Sequence, residues 1–413
     1  MTTWDCGTDP MARASKHAHA WKFRSRFRRN AFGWRGSRPA IQRIDEALAE
    51  IHAVARIDRN LAAEGAVVFL ERVSPALEQV DSSSGAIGSA VNRAIVDLVA
   101  VIADAPAEQR MREKWLDRLW EAHEADAIPY IETLADYWGE LCGSKEVASE
   151  WADRLVGITR MALSPDPKMR GHFHGTSACL SALFRAERYA EIIDLLKAEK
   201  FWHYAEWAVK AHVARGEKAE AIKYAESLRG PWTPDCSVDR VCEEILLSSG
   251  LADVAYERYA RGANRRGTYL ATFRAVAKKY PFKQPSKILA DLAADTPGEE
   301  GKWFAAAKDA RLYDLALDLA RRSPCDHRTL ARAARDFAER QPMFAVEAGL
   351  LALHWIVEGH GYEVTGGDVL DIVSHTMRAA EMNGSSEQTR ERIGQLVARD
   401  APDGIMRRIL ATH

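Results

Sequence analysis

Four stretches of the chain carry residue types and spacings that could do chemistry. The first lies near the N-terminus. Between Pro10 and Ile44 no acid occurs, while Arg13, Lys16, Lys22, Arg24, Arg26, Arg28, Arg29, Arg35, Arg38 and Arg43 are interleaved with Trp21, Phe23, Phe27, Phe32 and Trp34. Cations neutralise phosphates and aromatic rings stack on bases, so this pattern fits nucleic acid, with Arg24, Arg26, Arg28, Arg29 and Arg35 as contacts. It also fits an extension whose aromatics dock on an acidic body. An Arg-rich targeting segment is a third reading, and Asp5 and Asp9 count against it. The second stretch is His172-Phe173-His174 with Cys179 five residues on, metal-ligand types in a Pro/Gly-rich break without a companion cluster. The third is His354, His360 and His375 around the turn from Gly359 to Gly367. Its first two histidines are six apart and do not share a helix face as an i, i+4 zinc pair does. The fourth, Gly298-Glu299-Glu300-Gly301-Lys302-Trp303-Phe304, sets two carboxylates beside a lysine, a set able to move protons. After Thr296-Pro297 it also reads as the first turn of a helix, where acids favour the positive end of the dipole. No GxSxG, GxGxxG or GxxxxGK[ST] occurs, so no catalytic, cofactor-binding or metal residue is assigned and no cofactor is expected.

The elements that must position these residues follow from composition and period. The chain has 413 residues, 57 Lys+Arg against 59 Asp+Glu and a net charge of −2, and 47% of it is hydrophobic. That apolar share excludes wholesale disorder and can bury a sizeable core. Sixty-eight alanines lean the chain towards helix. The near-zero charge hides an asymmetry: residues 1–44 sum to +8 and the remaining 369 to −10. Mean hydropathy is −0.30, and no window reaches the roughly 18 uncharged apolar residues of a membrane span. Cys6, Cys142, Cys179, Cys236, Cys242 and Cys325 are scattered without a CxxC pair, which suits free thiols in a reducing compartment. No apolar leader opens the chain, so the expectation is a soluble, cytoplasmic protein with no membrane partner.

Residues 1–36 hold no sustained period and read as a basic, partly disordered arm. From Ser37, apolar residues recur at Ile41, Ile44, Leu48, Ile51 and Val54, the stripe of an amphipathic helix. A second helix is expected over 59–74, stopping at Ser74-Pro75, with Gly65 an awkward interior residue. Further helices are expected near 86–104, 107–124, 127–142 and 146–163. Ser164-Pro165-Asp166-Pro167, with Gly171 and Gly175, marks the best internal boundary. Other breaks fall at Arg229–Asp235 and Thr296-Pro297-Gly298. No period-two strand pattern is found. The domains expected are a 1–36 arm, a 37–163 helical domain, a 164–176 linker, a 177–382 repeat domain and a 383–413 helical tail.

Four segments share a helix–turn–helix grammar: Ala182–Ile192, Ala214–Ala221, Ser248–Ala255 and Ala310–Ala316. Taking Ile192, Ala221, Ala255 and Ala316 as equivalent gives separations of 29, 34 and 61, the last close to two units, with Tyr280-Pro281 inside it. Over roughly residues 175–350 this resembles the tetratricopeptide class of helical hairpins. Gly216 and Gly250 match its turn, Tyr189 and Tyr313 its aromatic, and Ala221, Ala255 and Ala316 its crossing alanine. The early Trp–Leu–Gly signature is not intact in any unit, and Ile192 replaces an alanine. Paired short helices cannot bury their apolar faces alone and must stack. The expected fold is therefore all-α: a right-handed helical-hairpin solenoid in the C-half and an irregular HEAT-like or bundle-like N-half. The expected function is a non-enzymatic scaffold holding a protein or peptide on its concave face. The alternative is a helical-repeat nucleic-acid binder using residues 13–43, of the HEAT-like DNA-glycosylase kind if it is an enzyme.

Overall fold

The computed structural model describes residues 19–231 and 233–410. Every regular element among them is a helix; an isolated bridge between Gly230 and Thr233 is the lone extended pairing. The chain divides into two compact units, up to Thr233 and from Pro234. The division falls in the second Pro-rich break, whereas 164–176 lies inside the first unit.

The first unit holds α1 Ser37–Ala55, α2 Arg59–Leu77, α3 Ala86–Ala103, α4 Gln109–Glu124, α5 Trp138–Cys142, α6 Lys145–Ala162, α7 Thr176–Arg185, α8 Tyr189–Leu195, α9 Trp202–Ala214 and α10 Lys218–Ser227. In α1 the buried residues Ala40, Ile44, Ala47 and Ile51 follow the steps of four and three that keep one face inward. Asp58 caps α2 by accepting from the Leu61 amide at 3.0 Å. The sequence expectation of a stop at Ser74-Pro75 is corrected: α2 continues through Pro75 to Leu77. The proline sits in the last turn, and fully buried Ala76 and Leu77 stabilise the extra residues. A helix over 127–142 is also corrected. Pro129 blocks it, the Asp126 carboxylate takes the Ile131 amide at 2.8 Å, and a 3-10 turn over Glu132–Tyr137 leads into the short α5. Arg112, 7% exposed, donates to the carbonyls of Ile102, Ala103, Ala105 and Leu141, closing the C-terminal ends of α3 and α5. Among the described residues α3 is long and apolar enough to cross a membrane; Ile87, Val91, Ile95, Leu98 and Ile102 are buried, and α3 packs on α1 and α2.

The second unit holds α11 Asp235–Leu247, α12 Ala252–Ala263, α13 Tyr269–Lys279, α14 Pro285–Ala294, α15 Phe304–Asp309, α16 Tyr313–Arg322, α17 His327–Phe337, α18 Pro342–Val357, α19 Gly366–Asn383, α20 Ser386–Arg399 and α21 Ile405–Leu410. Neighbours in sequence pack on each other: α11 on α12, α13 on α14, α15 on α16, α17 on α18.

The turns of the four repeat-like segments share one geometry, which recurs at Gly359 and Gly384. Glu187, Gly216, Gly250 and Arg311 all adopt positive φ, between 60° and 81°. In each, the next amide reaches back five residues, from Arg188 to Leu183, Glu217 to His212, Leu251 to Leu246 and Leu312 to Ala307, closing the helix end with a 6→1 bond. Five residues beyond each turn residue stand Ile192, Ala221, Ala255 and Ala316, all fully buried.

Candidate functional site

In the second unit, α12, α13, α14 and the segment from Asp295 to Trp303 enclose a cleft of about 620 Å³. Its walls begin at the end of α12. Gly262 is there because a Cβ would stand 1.7 Å from Asp239 Oδ2. Asn264, 2% exposed, turns its Nδ2 inward to Glu243 Oε1 at 2.6 Å and to the Ala260 carbonyl at 2.8 Å. Glu243 is itself fully buried and also accepts from Tyr280 and Lys279, each at 2.6 Å, so its charge is met inside the unit. That network fixes where α12 ends and leaves Arg265-Arg266-Gly267 exposed on the cleft rim. Thr268 then caps α13 by accepting from Ala271 at 3.1 Å, and the Arg266 amide donates to Thr272 Oγ1 at 2.9 Å.

The floor is apolar and aromatic. Tyr269 and Trp303 meet edge to face with centroids 4.7 Å apart, beside Leu292 and Pro297. Trp303 donates its Nε1–H to Thr296 Oγ1 at 2.8 Å. The cleft's two carboxylates are occupied. Asp295 pairs with Arg261. Glu299 receives Lys302 at 2.5 Å and the Tyr269 hydroxyl, and those two donors, Lys302 first, hold its carboxyl below the usual range. Burial, then Glu299, pushes the Tyr269 phenol up. Among the described residues no carboxylate pairs with Arg265 or Arg266. The arrangement can hold an anion attached to an apolar group.

The fourth sequence stretch therefore contributes to this rim, but not as the first turn of an α-helix: Glu300–Trp303 is a 3-10 turn, and α15 opens at Phe304. Trp303 and Phe304 are buried. Arg265, Arg266 and Tyr269 were not singled out by the sequence reading. The available signal was a dibasic pair followed by Gly and a capping Thr between two helices.

The other sequence candidates are scattered. Of the basic stretch, Arg13 and Lys16 lie outside the described residues. Trp21, Phe23 and Phe27 are buried, with Phe23 and Phe27 against Phe69. The amides of Lys22 and Phe23 donate to the Glu50 carboxylate at 2.8 and 3.2 Å. Arg26 pairs with Glu46, Arg29 with Glu78 at 3.1 Å, and Arg28 donates to the Ser25 carbonyl at 3.0 Å. Arg24 and Arg35 are exposed, as is Trp34 at 68%. His172 is exposed, whereas His174 stacks on buried His123 at 4.3 Å; Cys179 is buried, and burial pushes its thiol up to about 11. His354 and His360 flank Trp355, and His375 lies on α19 near His327. No group of three metal-ligand side chains forms among the described residues.

A serine, a histidine and an aspartate do meet in the first unit. Ser177 Oγ and Asp136 Oδ1 both lie 3.1 Å from His203 Nε2. A nucleophilic relay needs the carboxylate on Nδ1 and the hydroxyl on Nε2, so this set lacks that geometry. The hydrogen bond to Asp136 raises the His203 pKa. No family model matches the chain, and no curated protein matches its sequence.

Proposed function

We propose that this protein is a non-enzymatic helical-repeat scaffold that binds an extended segment of a protein partner, with the cleft of the second unit as its principal recognition site. The reading rests on one recurrence: four turns with the same positive-φ residue, the same 6→1 bond and a fully buried residue five places on. Such turns are what a helical-hairpin solenoid of tetratricopeptide type requires, because identical hairpins expose the same apolar face and must stack to cover it. Stacked hairpins leave clefts between successive pairs, and this one lies where α11–α12 is followed by α13–α14. Its apolar floor and polar rim suit a side chain with both characters.

The basic stretch supports nucleic-acid binding less well. Its rings, needed for stacking, are turned into the core at Trp21, Phe23 and Phe27, and Arg26 and Arg29 are paired with carboxylates.

The test is a display selection of random peptides on the full chain, followed by titration into the parent and Gly267→Trp. No atom lies within 4 Å of a Cβ at Gly267, so the indole has room on the rim and obstructs the cleft. Enriched peptides should bind the variant at least about tenfold more weakly, a difference of about 1.4 kcal/mol. Selection of nothing, or equal binding to both proteins, refutes the reading.

A further inference from the structure

The same cleft allows the recognised group to be named. We propose that it holds a phosphomonoester, with the phosphate between Arg265 and Arg266 and the organic body against Tyr269 and Trp303. This deepens the peptide-binding reading by specifying the group that enters.

Charge points to a phosphate. Arg261, Arg265, Arg266 and Lys302 stand around the cleft with Asp295 and Glu299. Arg261 is taken by Asp295 and Lys302 by Glu299, and Arg265 reaches Glu299 only at longer range, which leaves the cleft with four cations against two carboxylates and the excess on the two adjacent guanidiniums. Two positive charges match a phosphomonoester, which carries between −1.5 and −2 at neutral pH, better than a carboxylate or a phosphodiester with one. Guanidinium forks also match the oxygens of a phosphate in pairs. The Thr268 side chain already occupies the Ala271 amide, so the anion is met by the arginines rather than by the start of α13.

Shape points to an ester rather than a bare ion. About 620 Å³ is the size of a small-molecule or single side-chain pocket. Its inner wall is Tyr269, Trp303, Leu292 and Pro297, which a bare inorganic ion would leave uncovered. An aryl or other apolar phosphate covers that wall and reaches the rim with its charge. The two carboxylates on the rim add selectivity: a second acidic group on the ligand would be repelled by Asp295 and Glu299.

The experiment is isothermal titration calorimetry of the full chain with inorganic phosphate, phenyl phosphate, a phosphotyrosine peptide and the same peptide unphosphorylated. The proteins are the parent, Arg265→Ala/Arg266→Ala and Gly267→Trp, each checked for parental helicity by circular dichroism. Phenyl phosphate should bind the parent more tightly than inorganic phosphate. Loss of the arginines should weaken it roughly tenfold or more for each, the worth of one charge-assisted hydrogen bond. Gly267→Trp should weaken phenyl phosphate more than inorganic phosphate. Tighter binding of the phosphopeptide than of phenyl phosphate would assign the group to a modified side chain, and equal binding would assign it to a free ester; both support the proposal. Silence with every phosphomonoester, or equal binding by the arginine-free variant, overturns it. Peptides from the display selection that occupy the cleft without phosphate would keep the peptide reading while this inference fails. Phosphomonoester binding with no selected peptide, and no gain for the phosphopeptide over phenyl phosphate, would do the reverse.

Discussion

Gly65 offers a test in which the sign of a substitution depends on a residue far away in sequence. It sits inside α2, where replacing glycine by alanine ordinarily stabilises by about 1 kcal/mol through backbone entropy. Here a Cβ would stand 2.3, 2.4 and 2.7 Å from three ring atoms of Trp21, closer than carbon atoms tolerate. Trp21 is 8% exposed and lies in the core of the first unit, so it cannot swing into solvent without losing that burial. Overpacking of this kind costs about 1–3 kcal/mol, so Gly65→Ala should destabilise by up to about 2 kcal/mol net. Trp21→Ala alone should cost about 3–5 kcal/mol. In the Trp21→Ala background the clash is gone, and Gly65→Ala should then stabilise by about 1 kcal/mol. The cycle is therefore strongly non-additive, by about 1–3 kcal/mol, where independent sites add within roughly 0.5 kcal/mol. Because the chain has two units, a single melting curve is not the right readout. Hydrogen exchange of the α2 amides under native conditions reports opening of that region by itself. The same sign for Gly65→Ala in both backgrounds would refute the docking of Trp21 on α2.

Two further predictions address the interior and the turns. Burial, and then stacked His174, push the His123 imidazole down to about 4. The unfolded chain takes up that proton near pH 6.5 and the folded chain does not until about pH 4. Stability should thus be at its plateau above pH 6.5 and fall by roughly 3 kcal/mol as pH is lowered to 4. Urea denaturation across that range should show a shallower fall for His123→Phe, and equal slopes would contradict the assignment. At the turns, Gly216→Ala and Gly250→Ala should each cost about 1–2 kcal/mol, the price of a Cβ in left-handed backbone. Glu187→Gly and Arg311→Gly relieve the same strain and should be neutral or stabilising by up to about 1 kcal/mol. Native-state hydrogen exchange of the helices flanking each turn, compared between parent and the four variants, decides it: if the glycine and non-glycine positions respond with the same sign, their turns are not equivalent.

Helical class was legible because it depends on local quantities. Alanine content and the three-and-four spacing of apolar residues in α1 follow from the chain alone, and α4 and α6 end within two residues of where their patterns end. What was not legible depends on partners. Gly65 reads as a defect in a helix until Trp21 is seen on it. Pro75 reads as a stop until Ala76 and Leu77 are seen buried. The stretch from 127 to 137 keeps a helical pattern, yet Pro129 and the Asp126 carboxylate divert its backbone. In the turns, glycine signalled left-handed backbone at 216 and 250, but Glu187 and Arg311 adopt it without any glycine to announce it.

The cleft was hidden for a related reason, and the reason bears on how its charge is used. Its pairings join Arg261 to Asp295 and Tyr269 to Glu299, residues too far apart in sequence for any local motif to link. Read locally, Glu299-Glu300-Gly301-Lys302 offers two free acids beside a lysine, and Arg265-Arg266 is an ordinary polar loop. Folding reverses both readings. The acids acquire donors, while the arginines are left as the charge with no direct ion pair to a carboxylate among the described residues. An apolar floor then makes that charge selective, because an anion gains fully from this place when it carries something that covers Tyr269 and Trp303.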